Sequence, residues 1–222
     1  MLIAIDTSTS WISLAHYDGI YVRYEITWQS QHHHTVDLVP AMDLLFERTG
    51  TSPKSLIGCA VAIGPGSFTS LRIGLAAAKG LSLALNIPLV GVPSLDILAA
   101  AQPLDDKPML AVLPAGRMRL AYIPYRVENS AWQAQEPPSV IKAEELVKTI
   151  NAPTLICGEL SEETRSILGR RWKNAIIASP ARCLRRASFL AEIGWERLMN
   201  NQTDDPVSLT PIYLSTKNPI PE

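Results

Sequence analysis

The sequence holds no C-x-x-C pair, no H-x-x-x-H, no H-E-x-x-H and no Gly-Lys-Ser/Thr. Those absences exclude a zinc ribbon, a zincin-type metal centre and a Walker phosphate loop. Its cysteines are three, Cys59, Cys157 and Cys183, odd in number and far apart. A disulfide framework is not expected, and a reducing, cytoplasmic compartment is. Neither sign of charge prevails: 20 Lys and Arg stand against 21 Asp and Glu, a net charge of -1. No overall positive field is available to grip nucleic acid, so any such role needs a local patch or a partner. Long apolar runs are also missing. Leu2 to Ile5, ahead of Asp6, is too short for a signal-peptide core, and Lys79 interrupts the best candidate for the roughly 20 residues of a membrane span. What remains is 222 residues with 47% hydrophobic and 18% charged side chains. That is a globular composition with enough apolar material for one or two domains.

Leu2 to Ile5 reads as a buried strand. Ile12, Leu14 and His16 alternate with Ser13 and Ala15, and Asp18-Gly19 turns the chain into "IYVRYEITW". Thr35 opens a helix to about Arg48, with Val36, Val39, Met42 and Phe46 at helical spacing and Pro40 near its first turn. Ile57 to Ile63 reads as a strand, Phe68 to Leu85 as a helix, Pro88 to Val92 as a strand, and Ser94 caps "LDILAAA". After the linker-like "QPLDDKP" come strands at Met109 to Leu113, Leu120 to Tyr125 and near Val140, then a helix around Glu144 to Ile150. "TLICG", "SEETRSILG", "NAIIAS" and a helix from about Arg182 to Met199 complete the chain. The order β-β-β-α-β-α-β-α thus occurs twice, in lobes 1–103 and 104–222, each a mixed sheet flanked by helices.

Four stretches carry candidate chemistry. In "IAIDTSTS", Asp6 with Thr7 and Ser8 is placed to hold magnesium and phosphate, or to make a turn between strands. In "GPGSFT", Gly64, Gly66 and Ser67 leave amides open at a helix N-terminus, or serve a tight strand–helix connection. The helix that follows sets Ser70, Gly74, Ala77 or Ala78, Leu81 and Leu85 on one face. Glycine inside a helix costs about 0.5–1 kcal/mol relative to alanine, which implies close approach of a neighbour. Taken alone, the residues favour an internal neighbour over another chain. "QHHHT" reads as a surface loop rather than a metal site, because adjacent histidines on a strand face opposite ways. Arg182, Arg185 and Arg186 read as a solvated helix face.

The residues also resemble a family. "MLIAIDTSTS", "HHHTVDLVPAM", "AVAIGPGSFTSLRIGLAAAKGLSLALNIPLVGVPSLDILA" and "PIYL" are similar to the TsaB (YeaZ) family of bacterial tRNA threonylcarbamoyladenosine biosynthesis. The match is dense from Met1 to about Ala101 and otherwise rests on element order. The resemblance implies the ASKHA fold of actin, Hsp70 and sugar kinases. It implies a non-catalytic scaffold or activator for TsaD, which transfers threonylcarbamoyl to the adenosine beside the anticodon of ANN-reading tRNAs. TsaE, an ATPase, joins the two, and tRNA is met only through the complex. The docking surface it implies comprises Val36, Val39, Met42, Phe46, Ser70, Gly74, Ala77, Ala78 and Leu81, and the same surface pairs two copies as a homodimer.

Under that resemblance Asp6, Thr7, Ser8, Gly64, Gly66 and Ser67 are a vestigial phosphate site. No metal and no cofactor beyond weak nucleotide binding is expected. The chain departs from the family at "VLPAGRMR", where Pro114 and Gly116 replace a charged pair. Two competing activities are weighed. A stand-alone ASKHA ATPase or phosphotransferase needs a second phosphate loop, for which "LICGELSEE" is a poor substitute. A glycoprotease needs metal-ligating histidines in a zinc motif, and the sequence has none.

Overall fold

The computed structural model describes residues 1–30, 34–171 and 173–214. In chain order the strands and helices are β1 Leu2–Asp6, β2 Trp11–Tyr17, β3 Val22–Gln29, α1 His34–Thr49, β4 Gly58–Ala62, α2 Phe68–Leu85, β5 Leu89–Val92, α3 Ser94–Ala100, β6 Met109–Pro114, β7 Arg119–Glu128, β8 Ala131–Ala134, β9 Ser139–Lys142, α4 Ala143–Thr149, β10 Thr154–Gly158, α5 Glu162–Gly169, β11 Ala175–Ile177 and α6 Ala187–Met199. The doubled element order expected from the sequence is present. The short β8, which continues a hairpin from β7, is an addition to it.

Two compact units form. The first comprises Met1–Ile97 and Arg185–Ile212. Its five strands run β3-β2-β1-β4-β5, antiparallel from β3 to β1 and parallel from β1 to β5. Every residue of β1, β4 and β5 is buried, as strands covered on both faces require. On one face Ile3, Ile5, Ile12, Leu14 and Val61 meet Leu38, Leu45 and Phe46 of α1 and Leu75 and Ala78 of α2. On the other, Leu2, Ala4, Ala15, Ala60 and Val90 meet Ala187, Leu190, Ala191 and Leu198 of α6.

That second face corrects the expected division at 103/104. α6 follows the second set of strands in sequence but packs on the first sheet, and so does the segment to Ile212. The reason is complementarity: alanines on β1, β2 and β4 leave a shallow surface that the Ala187–Ala191 side of α6 fits. Fully burying a leucine such as Leu190 contributes about 2 kcal/mol.

The second unit, Leu98–Leu184 with Tyr213 and Leu214, holds the sheet β11-β10-β6-β7-β8, with β9 also paired to β7. α4 and α5 cover one face through Leu146, Ile150, Ile167 and Leu168 against Val112, Leu120 and Ile156. At the divergent "VLPAGRMR", β6 ends on Pro114, and Gly116, Arg117 and Met118 all take positive φ in the turn to β7.

The caps follow local chemistry. The Ser67 hydroxyl accepts the Ser70 amide at the start of α2, and Asn86 closes that helix in the left-handed region at φ 52°, a conformation asparagine tolerates. Ser161 caps α5 in the same way as Ser67 caps α2. Pro40 lies in the second turn of α1 rather than the first.

Candidate functional site

The six residues of the expected phosphate site do come together, at the end of β1 and in the loop before α2. Asp6 is fully buried. Its Oδ1 accepts the Ser8 amide at 2.8 Å, and its Oδ2 accepts Arg185 Nε at 2.8 Å. Arg185 is equally buried and donates from Nη2 to Thr9 Oγ1 at 3.0 Å. Thr7 Oγ1 donates to the Ser70 carbonyl at 2.7 Å. Ser8 Oγ and Ser94 Oγ share a hydrogen bond of 2.6 Å, and Ser94 Oγ accepts the Gly64 amide at 3.0 Å. The Ser8 carbonyl accepts the Ser67 amide at 2.7 Å. Gly66 lies so close to that carbonyl that a Cβ there would collide with it.

A magnesium-phosphate site at this position needs a carboxylate free to bind metal and amides free to bind oxygens. Neither requirement fits. The guanidinium of Arg185 already neutralises Asp6, and the Gly64 and Ser67 amides are already taken by Ser94 Oγ and the Ser8 carbonyl. Of the two sequence readings, the geometry is that of an internally bonded turn. Arg185, Ser94, Thr9 and His34 complete it, and sequence reasoning singled out none of the four for this role. One signal was available: an aspartate inside a strand buried on both faces needs a cation close by. The expectation that Arg185 lies on a solvated face is corrected accordingly. Its neighbour Arg186 pairs with Glu25.

A second feature lies between α1 and α2. Thr35, Leu38 and Val39 on one side and Phe68, Thr69, Arg72, Ile73, Ala76 and Ala77 on the other line an open groove of about 440 Å³. Val36, Val39 and Phe68 are exposed apolar side chains, at 67%, 57% and 53%. The Arg72 guanidinium lies over the Phe68 ring, 3.6 Å from its centroid.

The expected docking residues divide. Val36, Val39 and Ala77 lie on or beside the groove. Met42, Phe46, Ser70, Gly74 and Ala78 turn inward and are buried in their own unit, and Leu81 packs partly against the same core. The correction has a steric cause. The small residues of α2 answer to the β1–β2 turn beneath the helix, where a Cβ on Gly74 would collide with Thr7 Oγ1. The solvent side of the helix is rotated from that stripe and carries Phe68, Arg72, Ala76 and Leu83.

Of the histidines, His32 and His33 lie outside the described residues. His34 is buried, and its Nε2 donates to the Thr9 carbonyl at 2.7 Å. Among the described residues, no three His, Cys, Asp or Glu side chains are grouped to hold a metal. All three cysteines are free and buried, and burial pushes the Cys59 thiol up to about 12.

The doubled β-β-β-α-β-α-β-α order over two mixed sheets is the α/β architecture of the ASKHA fold. A family model described as "TsaD: tRNA N6-adenosine threonylcarbamoyltransferase" matches residues 26–182. The TsaB protein of Bacillus subtilis, a tRNA threonylcarbamoyladenosine biosynthesis protein, is 31% identical over 96% of this chain and 93% of its own. The chain belongs to the TsaB family. Over 80 residues it is also 44% identical to the tRNA N6-adenosine threonylcarbamoyltransferase of Nitratidesulfovibrio vulgaris, a match covering 35% of this chain and 22% of that one. The fold is that of YeaZ from Pseudomonas aeruginosa, with a TM-score of 0.80 at 22% identity over 96% and 99% of the two chains.

Proposed function

We propose that this chain is a non-catalytic subunit of tRNA threonylcarbamoyladenosine biosynthesis. It docks on TsaD through the α1–α2 groove and supports TsaD in transferring threonylcarbamoyl to the adenosine beside the anticodon. The observation that carries this reading is the groove itself: exposed valines, a phenylalanine and alanines gathered along one open cleft between two helices. Such a surface suits an apolar helix of a partner. The bonded state of the β1–β2 turn supports the non-catalytic part, because both Asp6 oxygens already accept hydrogen bonds and a buried guanidinium neutralises the carboxylate. TsaE joins the complex, tRNA is reached through it, and the groove pairs two copies of this chain when TsaD is absent. The work is done in the cytoplasm without a cofactor of this chain's own.

The test is binding of the purified chain to TsaD of the same organism by calorimetry, for the wild type and for Ala76→Glu. A charge in the groove loses its water without gaining a partner. Binding weakened tenfold or more, with the melting temperature unchanged, supports the reading. Full-strength binding by Ala76→Glu removes the groove from the interface.

A further inference from the structure

Five consecutive residues, Asp6 to Ser10, tie together elements that are far apart in sequence. Asp6 holds Arg185 at the entrance to α6. Thr7 holds the first turn of α2 through the Ser70 carbonyl. Ser8 holds the cap of α2 through the Ser67 amide, and the first residue of α3 through Ser94. Thr9 holds the first residue of α1 through His34, and Arg185 a second time. The Ser10 carbonyl accepts the Ser30 amide just after β3.

α1 and α2 are the two walls of the groove, and each is fastened at its N-terminal end to this one turn. Both helices rest on the same face of the first sheet, and the groove between them is open on its outer side, so at their N-terminal ends it is the turn fastening both that holds their spacing. We infer that the β1–β2 turn, clamped by the buried Asp6–Arg185 ion pair, sets the separation of α1 and α2. Thr7, Thr9 and Arg185 are therefore positioning residues for the groove. Charge-assisted hydrogen bonds in a water-free site are short and directional, which suits a clamp. The consequence for docking rests on the function proposed above, whereas the geometric claim does not.

The test uses spin labels on the full chain at Asp43→Cys in α1 and Ala84→Cys in α2, both exposed, while the native cysteines are buried. Into this background go Thr7→Val, the pair Asp6→Leu with Arg185→Met, and Thr7→Ser as a control that keeps the hydroxyl. Thr7→Val leaves the ion pair in place and the double substitution leaves no unpaired charge, so a folded variant is available. Expected are a broadened label-to-label distance distribution and TsaD binding weakened at least tenfold in Thr7→Val and in the double variant, with both restored in Thr7→Ser. An unchanged distribution in both variants overturns the inference, whatever binding does. A broadened distribution with full binding upholds it and overturns the docking function instead.

Discussion

Arg185 Nε stands 2.8 Å from Asp6 Oδ2, although the two residues lie 179 positions apart in the chain. Both side chains are about 1% exposed. Removing one member of a buried pair leaves an uncompensated charge and costs about 3–5 kcal/mol, whereas replacing both by apolar groups is often neutral. Arg185→Met should therefore lose most of the stability of the first unit, and Asp6→Leu with Arg185→Met should recover it. Urea titrations of the three proteins check this. Additive losses in the double variant would show that the pair is not coupled.

Gly74 and Ala76 lie two residues apart on α2 and should answer differently. Gly74→Val drives a branched side chain into Thr7, an overpacking that costs about 1–3 kcal/mol and is read as a lower melting temperature. Ala76→Glu sits in the groove and should leave that temperature alone while weakening the partner by at least 1.4 kcal/mol, a factor of ten. If Gly74→Val melts normally and yet fails to bind, the inward orientation of the small-residue stripe is wrong.

His16 sits in β2, fully buried and edge-on to Phe46 with ring centroids 5.8 Å apart. Neither ring nitrogen has a hydrogen-bond partner among the described residues. Burial pushes its pKa down to about 4, the N-terminal ammonium acts in the same direction, and Asp18 opposes both. Below about 6.5 the unfolded chain takes up a proton that the folded chain refuses. Stability is thus full above that pH, falls between 6.5 and 4, and levels off below. The loss across the window is about 3 kcal/mol. His16→Leu should flatten this part of the profile. Parallel wild-type and variant profiles between pH 7 and 4.5 would remove His16 as the cause.

ATP should not be hydrolysed by the isolated chain above a no-protein control, and Asp6→Ala should not change that result. The reason is local: both carboxylate oxygens are engaged by Ser8 and Arg185. Turnover that Asp6→Ala abolishes would contradict the non-catalytic reading.

Much of the first unit was legible because local signals and tertiary outcome agree. The Asp18-Gly19 turn, the alternation in β2 and the helical spacing in α1 all lead to the elements observed. What was not legible depends on contacts that sequence order hides. β8 is four residues long and mostly exposed, and it forms by pairing with β7. The destination of α6 is set by an alanine surface contributed by three distant strands. The glycine and alanine stripe on α2 signalled a close neighbour correctly, and the residues alone favoured an internal one. The family resemblance assigned that stripe to the docking surface, whereas in the structure it faces inward and Phe68, Arg72 and Ala76 line the open groove. Asp6 was conspicuous, but its counter-ion lay in a cluster that composition presents as ordinary surface charge.

The return of α6 to the first sheet has a consequence for synthesis on the ribosome. β1 to β5 are made before any strand of the second unit, yet their own unit must wait for α6. Until residue 185 has left the exit tunnel, Asp6 has no cation. Until α6 has followed, the alanine-lined face of the sheet stays wet while residues 98–184 of the second unit are being translated. A nascent chain that halts or is cleaved in that interval exposes five strands with one apolar side open, a species prone to aggregate before it can fold.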